Sequence, residues 1–144
     1  MVMSPDRGGI FDVLLGMVRR GLGGAIAGGR QWISWIHERD FVRSVELLLA
    51  RDDFSGAVNL AAPNPMPQRE FMAAIREAWG IDLGLPATAW MAAIGAFLLR
   101  TDTELVLKSR RVVPGRLAQA GFRFDFPDWP EAVRELVERY RARA

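Results

Sequence analysis

Only two short stretches of this chain read as β-strands, and two strands do not make a sheet. The first, "RQWISWI" (30–36), is short and rich in β-forming residues. The second, "AVNLAA" (57–62), is apolar without clear alternation, the pattern of a buried strand. A two-stranded pair on its own is marginal in water. Its edges leave backbone N–H and C=O groups open to pairing. Either helices cover these strands or another chain completes the sheet.

Helical spacing fills the rest. Ile10, Leu14, Met17 and Val18 make a stripe in "IFDVLLGMVRRGL". "GLGGAIAGG" (21–29) then reads as a loop, because glycine permits positive φ and close backbone approach. Phe41, Val45, Leu48 and Leu49 mark a helix over 40–51, with Asp40 placed where a carboxylate suits the helix dipole. After "PNPMP", Phe71, Ala74, Ile75, Ala78 and Trp79 share one face of a helix that Gly80 ends. Ala87 to Leu99 reads as an apolar helix, and Thr101 with Glu104 as a capping box opening the next. A short helix runs from Pro114 to Gly121, and "RFDFPDW" is extended. Asp128 and Glu131 form a second capping box, with Pro130 tolerated in the first turn and Val133, Leu136, Val137 and Tyr140 turned inward.

Charge and composition exclude several classes of function. There are 19 Lys+Arg against 17 Asp+Glu, a net charge of +2, and Lys108 is the sole lysine. That balance carries no nucleic-acid footprint. Half the residues are apolar, which speaks for a packed core rather than disorder. Cysteine is absent, so disulfides and thiolate chemistry are excluded. The beginning of the chain lacks the pattern of a signal peptide. The longest apolar segment falls well short of the ~20 residues a membrane span needs. A cytoplasmic protein, with no membrane and no nucleic-acid partner, is the expectation. One histidine and scattered carboxylates make no metal constellation.

The ordered signals "GGRQWISWIHERD", "GAVNLAAPNPMPQREF" and "VVPGRLAQAGFRF" resemble the C-terminal half of an epimerase-like subfamily of the extended short-chain dehydrogenases/reductases. The part from "LPATAW" onward resembles the small domain of unknown function that closes that subfamily. The resemblance implies an α+β chain, mostly helical with two or three short strands: an incomplete substrate-binding lobe. It divides the chain into a lobe portion at 1–83 and a helical C-terminal domain at 84–144. Family members begin with a Rossmann domain whose glycine-rich turn holds a nicotinamide dinucleotide at a helix N-terminus. "GLGGAIAGG" stands in the wrong context, after a helix and before a strand. The family's catalytic Tyr-x-x-x-Lys has no match, since Ala144 lies four residues after Tyr140. No catalytic, cofactor-binding or metal residue is therefore assigned, and NAD(P) is implied for the full-length family rather than for this chain.

The candidate substrate-binding residues are Gln31, Trp32, Trp35, His37 and Asn64. In a pocket the tryptophans stack on a ligand and Gln31 or His37 hydrogen-bonds it; in a core the same residues are aromatic packing with a satisfied histidine. Asn64 also reads as a turn residue. Arg39 stands where the family usually has an acid, an unfavourable charge at a helix start. Pro67 replaces the family's hydroxyl cap. Arg110 and Arg111 read as an anion site or as a solvated pair. Two functions stay open: a substrate-binding lobe that acts with a Rossmann-domain polypeptide, and a non-enzymatic homo-oligomeric module contacting through strand edges and the helix 87–99.

Overall fold

In the computed structural model, residues 1–86 and 109–143 are described. The expected helix at Ala87–Leu99 and the Thr101–Glu104 capping box lie outside the described residues. The elements, in order, are β1 (Val2–Met3), α1 (Ile10–Arg19), β2 (Trp32–Ile33), β3 (Ile36–His37), α2 (Glu38–Leu49), β4 (Met66–Pro67), α3 (Gln68–Trp79), α4 (Gly115–Gln119) and α5 (Trp129–Ala142). The fold is α+β, with short strands and five described helices.

The expected strand at 30–36 is in fact two. β1 and β3 pair in parallel, Val2 opposite Ile36 and Met3 opposite His37. β2 and β4 pair antiparallel, Trp32 opposite Pro67 and Ile33 opposite Met66. The break at Ser34 and Trp35 has a cause: the buried Trp35 side chain leaves the ladder for the core. The expected strand at 57–62 does not form either. Ala61 and Ala62 are buried, but Asn59 is exposed. One tie to β3's approach, Ala62 N–H to Trp35 O at 2.7 Å, is the ladder-like bond this stretch makes among the described residues. A buried-strand composition without a partner strand remains extended but unpaired.

Two helical stripes are also corrected. On α1 the core face is Phe11, Leu15 and Val18, while Ile10 and Leu14 pack at its edge. On α2 the buried residues are Asp40 and Ser44, and Leu49 is 82% exposed. Apolar periodicity misses this face because a polar anchor claims it. Asp40 accepts backbone N–H bonds from Asp125 (2.8 Å) and Phe126 (2.9 Å), and Ser44 Oγ donates to Asp40 O.

The core is centred on Trp129, fully buried at the start of α5. Its ring stacks on Phe71 of α3 (centroids 4.1 Å apart, 8° between planes), meets Trp35 at 5.0 Å and Phe11 edge-on at 6.5 Å. Its indole N–H donates to Phe71 O at 2.9 Å. Helix α3 therefore packs on α5 through Phe71, Met72 and Ile75 against Trp129, Val133, Leu136 and Val137. Gly80 ends α3 in the left-handed conformation expected of it (φ 84°). Asp128 precedes α5 but makes no side-chain cap, contrary to the capping-box expectation. Its carboxylate instead accepts Asn64 Nδ2–H at 2.8 Å, a tertiary partner that outbids the local N–H.

The end of α5 is tied to the start of α1. Tyr140 Oη donates to Asp12 Oδ1 (2.7 Å) and Gly8 N–H to Asp12 Oδ2 (2.8 Å). These bonds, Gly8's first, hold the Asp12 carboxyl below its ordinary value. A carboxyl lowered on folding adds stability above its unfolded pKa and loses it as pH falls through the folded one. Tyr140→Phe is expected to cost about 1 kcal/mol at neutral pH. It is also expected to flatten the loss of stability below about pH 4. Urea midpoints measured across that range check both.

Candidate functional site

The five candidate residues do not converge on one pocket. Trp35 is buried and braces the loop after 57–62, its indole N–H donating to Asn64 O at 3.3 Å. His37 is fully buried and stacked on Phe126 at 4.1 Å. Its Nδ1 accepts Arg39 N–H at the start of α2, which puts the ring proton on Nε2, facing Glu135 Oε2 at 3.1 Å. Both ring nitrogens are thus engaged in structure. Asn64 is a strut between Trp35 and Asp128. Gln31 donates from Nε2 to Ile26 O, and its backbone carbonyl accepts Gln68 N–H. For Trp35 and His37 burial decides against ligand stacking: no face of either ring is open. Arg39, the charge departure, is itself exposed and meets the half-buried Glu135 carboxylate at 2.6 Å.

Trp32 lines a cavity. This space of about 440 Å³ has Ile10, Ile33, Leu60 and Ala61 in its walls, with Arg110 at its edge. Sequence periodicity contains no signal for Arg110 there. It arrives because Ser109–Val112 runs alongside Trp32–Ser34. Arg110 N–H donates to Trp32 O (3.0 Å), Ser34 Oγ donates to Arg110 O (2.6 Å), and Val112 N–H donates to Ser34 Oγ (2.8 Å). Trp32 N–H donates to Ser109 Oγ at 3.0 Å.

The glycine loop has the composition of a dinucleotide cradle but not its setting. Such a cradle needs free backbone N–H groups at a helix N-terminus. Here the loop follows α1 and leads to β2 rather than to a helix N-terminus, and side chains of α3 bind parts of its backbone. Gln68 Oε1 accepts Ile26 N–H, Gln68 Nε2 donates to Gly24 O, and Arg76 donates to Gly23 O. A Cβ on Gly24 would lie 2.5 Å from Gly84 O and Leu85 O. That glycine makes room for protein backbone, not for a phosphate. The described residues of the loop do not fit the cofactor. Among the described residues, no cluster of three His, Asp or Glu side chains could hold a metal ion.

The comparisons with known proteins join this geometry. A family model described as a domain of unknown function (DUF1731) matches residues 87–136. An epimerase family protein of Mycobacterium tuberculosis is 36% identical over 135 residues, 92% of this chain and 43% of the relative. The epimerase family protein YfhF of Bacillus subtilis is 32% identical over 120 residues, 80% of this chain and 37% of the relative. The human epimerase family protein SDR39U1, solved with NADPH, superposes with a TM-score of 0.82 at 28% identity, covering 95% of this chain and 45% of that one. The chain corresponds to a C-terminal part of an epimerase-like protein. It spans less than half the length of the relatives it matches. No described helix of this epimerase-like chain is long and apolar enough to cross a membrane.

Proposed function

We propose that the chain is the substrate-binding lobe of an epimerase-like, NAD(P)-dependent oxidoreductase, with Trp32 in the wall of the substrate space. The nicotinamide cofactor and the proton-transferring groups come from a Rossmann-type partner, encoded in the same or another polypeptide. The observation that carries this reading is the parallel pair β1–β3, joined through α1. Parallel strands linked by a crossover helix belong to larger sheets covered on both faces. Here the pair is two residues long, and the extended stretch 57–62 beside Trp35 lacks a ladder. Both are pieces of a sheet that further strands would complete. The human relative's NADPH supports the choice of cofactor.

Reassembly tests the reading. The Mycobacterium tuberculosis relative is divided into the part this chain matches and the remainder, and the remainder is mixed with this chain. Co-elution on gel filtration and a nicotinamide-dependent activity found only in the mixture are expected. If the relative's own two parts reassemble and this chain does not join the remainder, the reading fails.

A further inference from the structure

We propose that the cavity beside Trp32 receives an organic anion, a carboxylate or phosphate on a flat apolar body, with Arg110 binding the charge. This rests on the reading above in taking the cavity as the substrate's, and it names the ligand class.

The backbone stitching of Ser109–Val112 onto Trp32–Ser34 places two consecutive arginines. Successive side chains of an extended stretch point to opposite sides. Arg110 accordingly lines the cavity, while the Arg111 guanidinium lies over the Trp32 ring, 4.4 Å from its centroid. The cation over the ring holds Trp32 in place as a wall.

The arginines divide by whether a carboxylate faces them. Arg39, Arg43, Arg51, Arg139 and Arg143 each meet a carboxylate. Arg110 and Arg111, like Arg20, Arg30 and Arg123, meet none among the described residues, and of these Arg110 is the one that lines the cavity. An arginine lining a cavity, with no carboxylate against it among the described residues, is a ready partner for a carboxylate or phosphate, which arginine grips with paired N–H groups.

The walls select the rest of the ligand. Ile10, Ile33, Leu60 and Ala61 offer apolar surface. The one hydroxyl among the cavity's described side chains, on Ser34, is engaged twice, donating to Arg110 O and accepting from Val112 N–H. A polyhydroxylated sugar would bury hydroxyls against carbon there, at a cost of roughly 1–3 kcal/mol for each unpaired one. A ring with a single anionic group loses nothing of the kind. The volume also lies within the usual range for a small-molecule site.

The test is calorimetric titration of the 144-residue chain with 1-naphthoate, 1-naphthyl phosphate and the neutral 1-naphthalenemethanol. Saturable binding of either anion, with the alcohol at least about tenfold weaker, is expected; whichever anion binds more tightly identifies the head group. Arg110→Gln is expected to erase that advantage while the circular dichroism and melting curve stay unchanged, since the side chain is exposed. Trp32→Ala is expected to weaken all three probes. Equal binding of the alcohol, no binding of any probe, or an anion advantage that survives Arg110→Gln would overturn the proposal. Probe binding needs no partner polypeptide, so its failure is separable from failure of the reassembly above.

Discussion

Trp129→Ala is expected to remove about 3–5 kcal/mol of stability. A domain of this size has only about 5–15 kcal/mol in total, so the variant stands close to the folding threshold. The reason is that one ring serves three contacts. It stacks on Phe71 of α3, abuts Trp35 between β2 and β3, and takes Phe11 of α1 edge-on. Deleting it opens a cavity where three elements meet, and no single neighbour can relax into all of it. Trp129→Phe keeps a stacked ring and loses the indole N–H bond to Phe71 O together with some volume. It should cost about 1–2 kcal/mol. Urea denaturation followed by far-ultraviolet circular dichroism separates the two, with a midpoint shift for alanine of about 2 M at a typical slope. An alanine variant within about 1 kcal/mol of the parent would show that Trp129 is not the centre of the core.

Asp40→Ala is expected to cost about 3 kcal/mol or more. The carboxylate is fully buried and accepts two backbone N–H groups from the segment before α5, with Arg43 Nη1 at 3.2 Å as a third partner. Alanine leaves both N–H groups without their acceptor, at roughly 1–3 kcal/mol each where water cannot reach. Arg43 retains Asp125 at 2.6 Å, so the loss falls on the backbone of 125–126 rather than on the ion pair. Asp40→Asn can satisfy one N–H through its amide oxygen, while its NH2 confronts the other, and should recover about half the loss. Hydrogen exchange gives the local reading: the amides of Asp125 and Phe126 should lose protection in Asp40→Ala ahead of the amides of α3. If those two amides kept their protection, the anchoring role would be refuted.

The two predictions differ in how visible their residues are in the sequence. Val133, Leu136 and Val137 follow one another at helical spacing and their burial was legible, whereas Trp129 read only as the end of an extended stretch, and its place at the centre of the core is decided by Phe71, Trp35 and Phe11. Helix α3 was equally legible, including its end at Gly80, because its partner is the matching stripe of α5. The Pro114–Gly121 helix and the extended "RFDFPDW" stretch were also read from local signals. Asp40 was legible only as a charge at a helix start. Its partners are backbone N–H groups some eighty-five residues away, and backbone donors carry no side-chain signature. The same blindness explains the misplaced stripe of α2, where Leu49 is exposed and Ser44 buried.

The candidate site divides in the same way. The cluster of tryptophans and histidine stands out in the sequence because such residues are rare, and the resemblance to an epimerase-like C-terminal part rests on ordered motifs. Composition cannot tell a ring in a wall from a ring in a core. Trp32 and Trp35 stand three residues apart, yet one faces a cavity and the other Trp129, because the strand breaks at Ser34 and each half pairs with a different partner. Arg110 was visible as one of two arginines but not as Trp32's neighbour. What the sequence determined alone was the presence of the described helices, the glycine ends at Gly80 and Gly121, and the family likeness, all encoded in spacings of a few residues. Which side chains meet was decided by the tertiary structure. Burial and hydrogen bonding between distant segments depend on where the chain returns in space, and no local pattern records that.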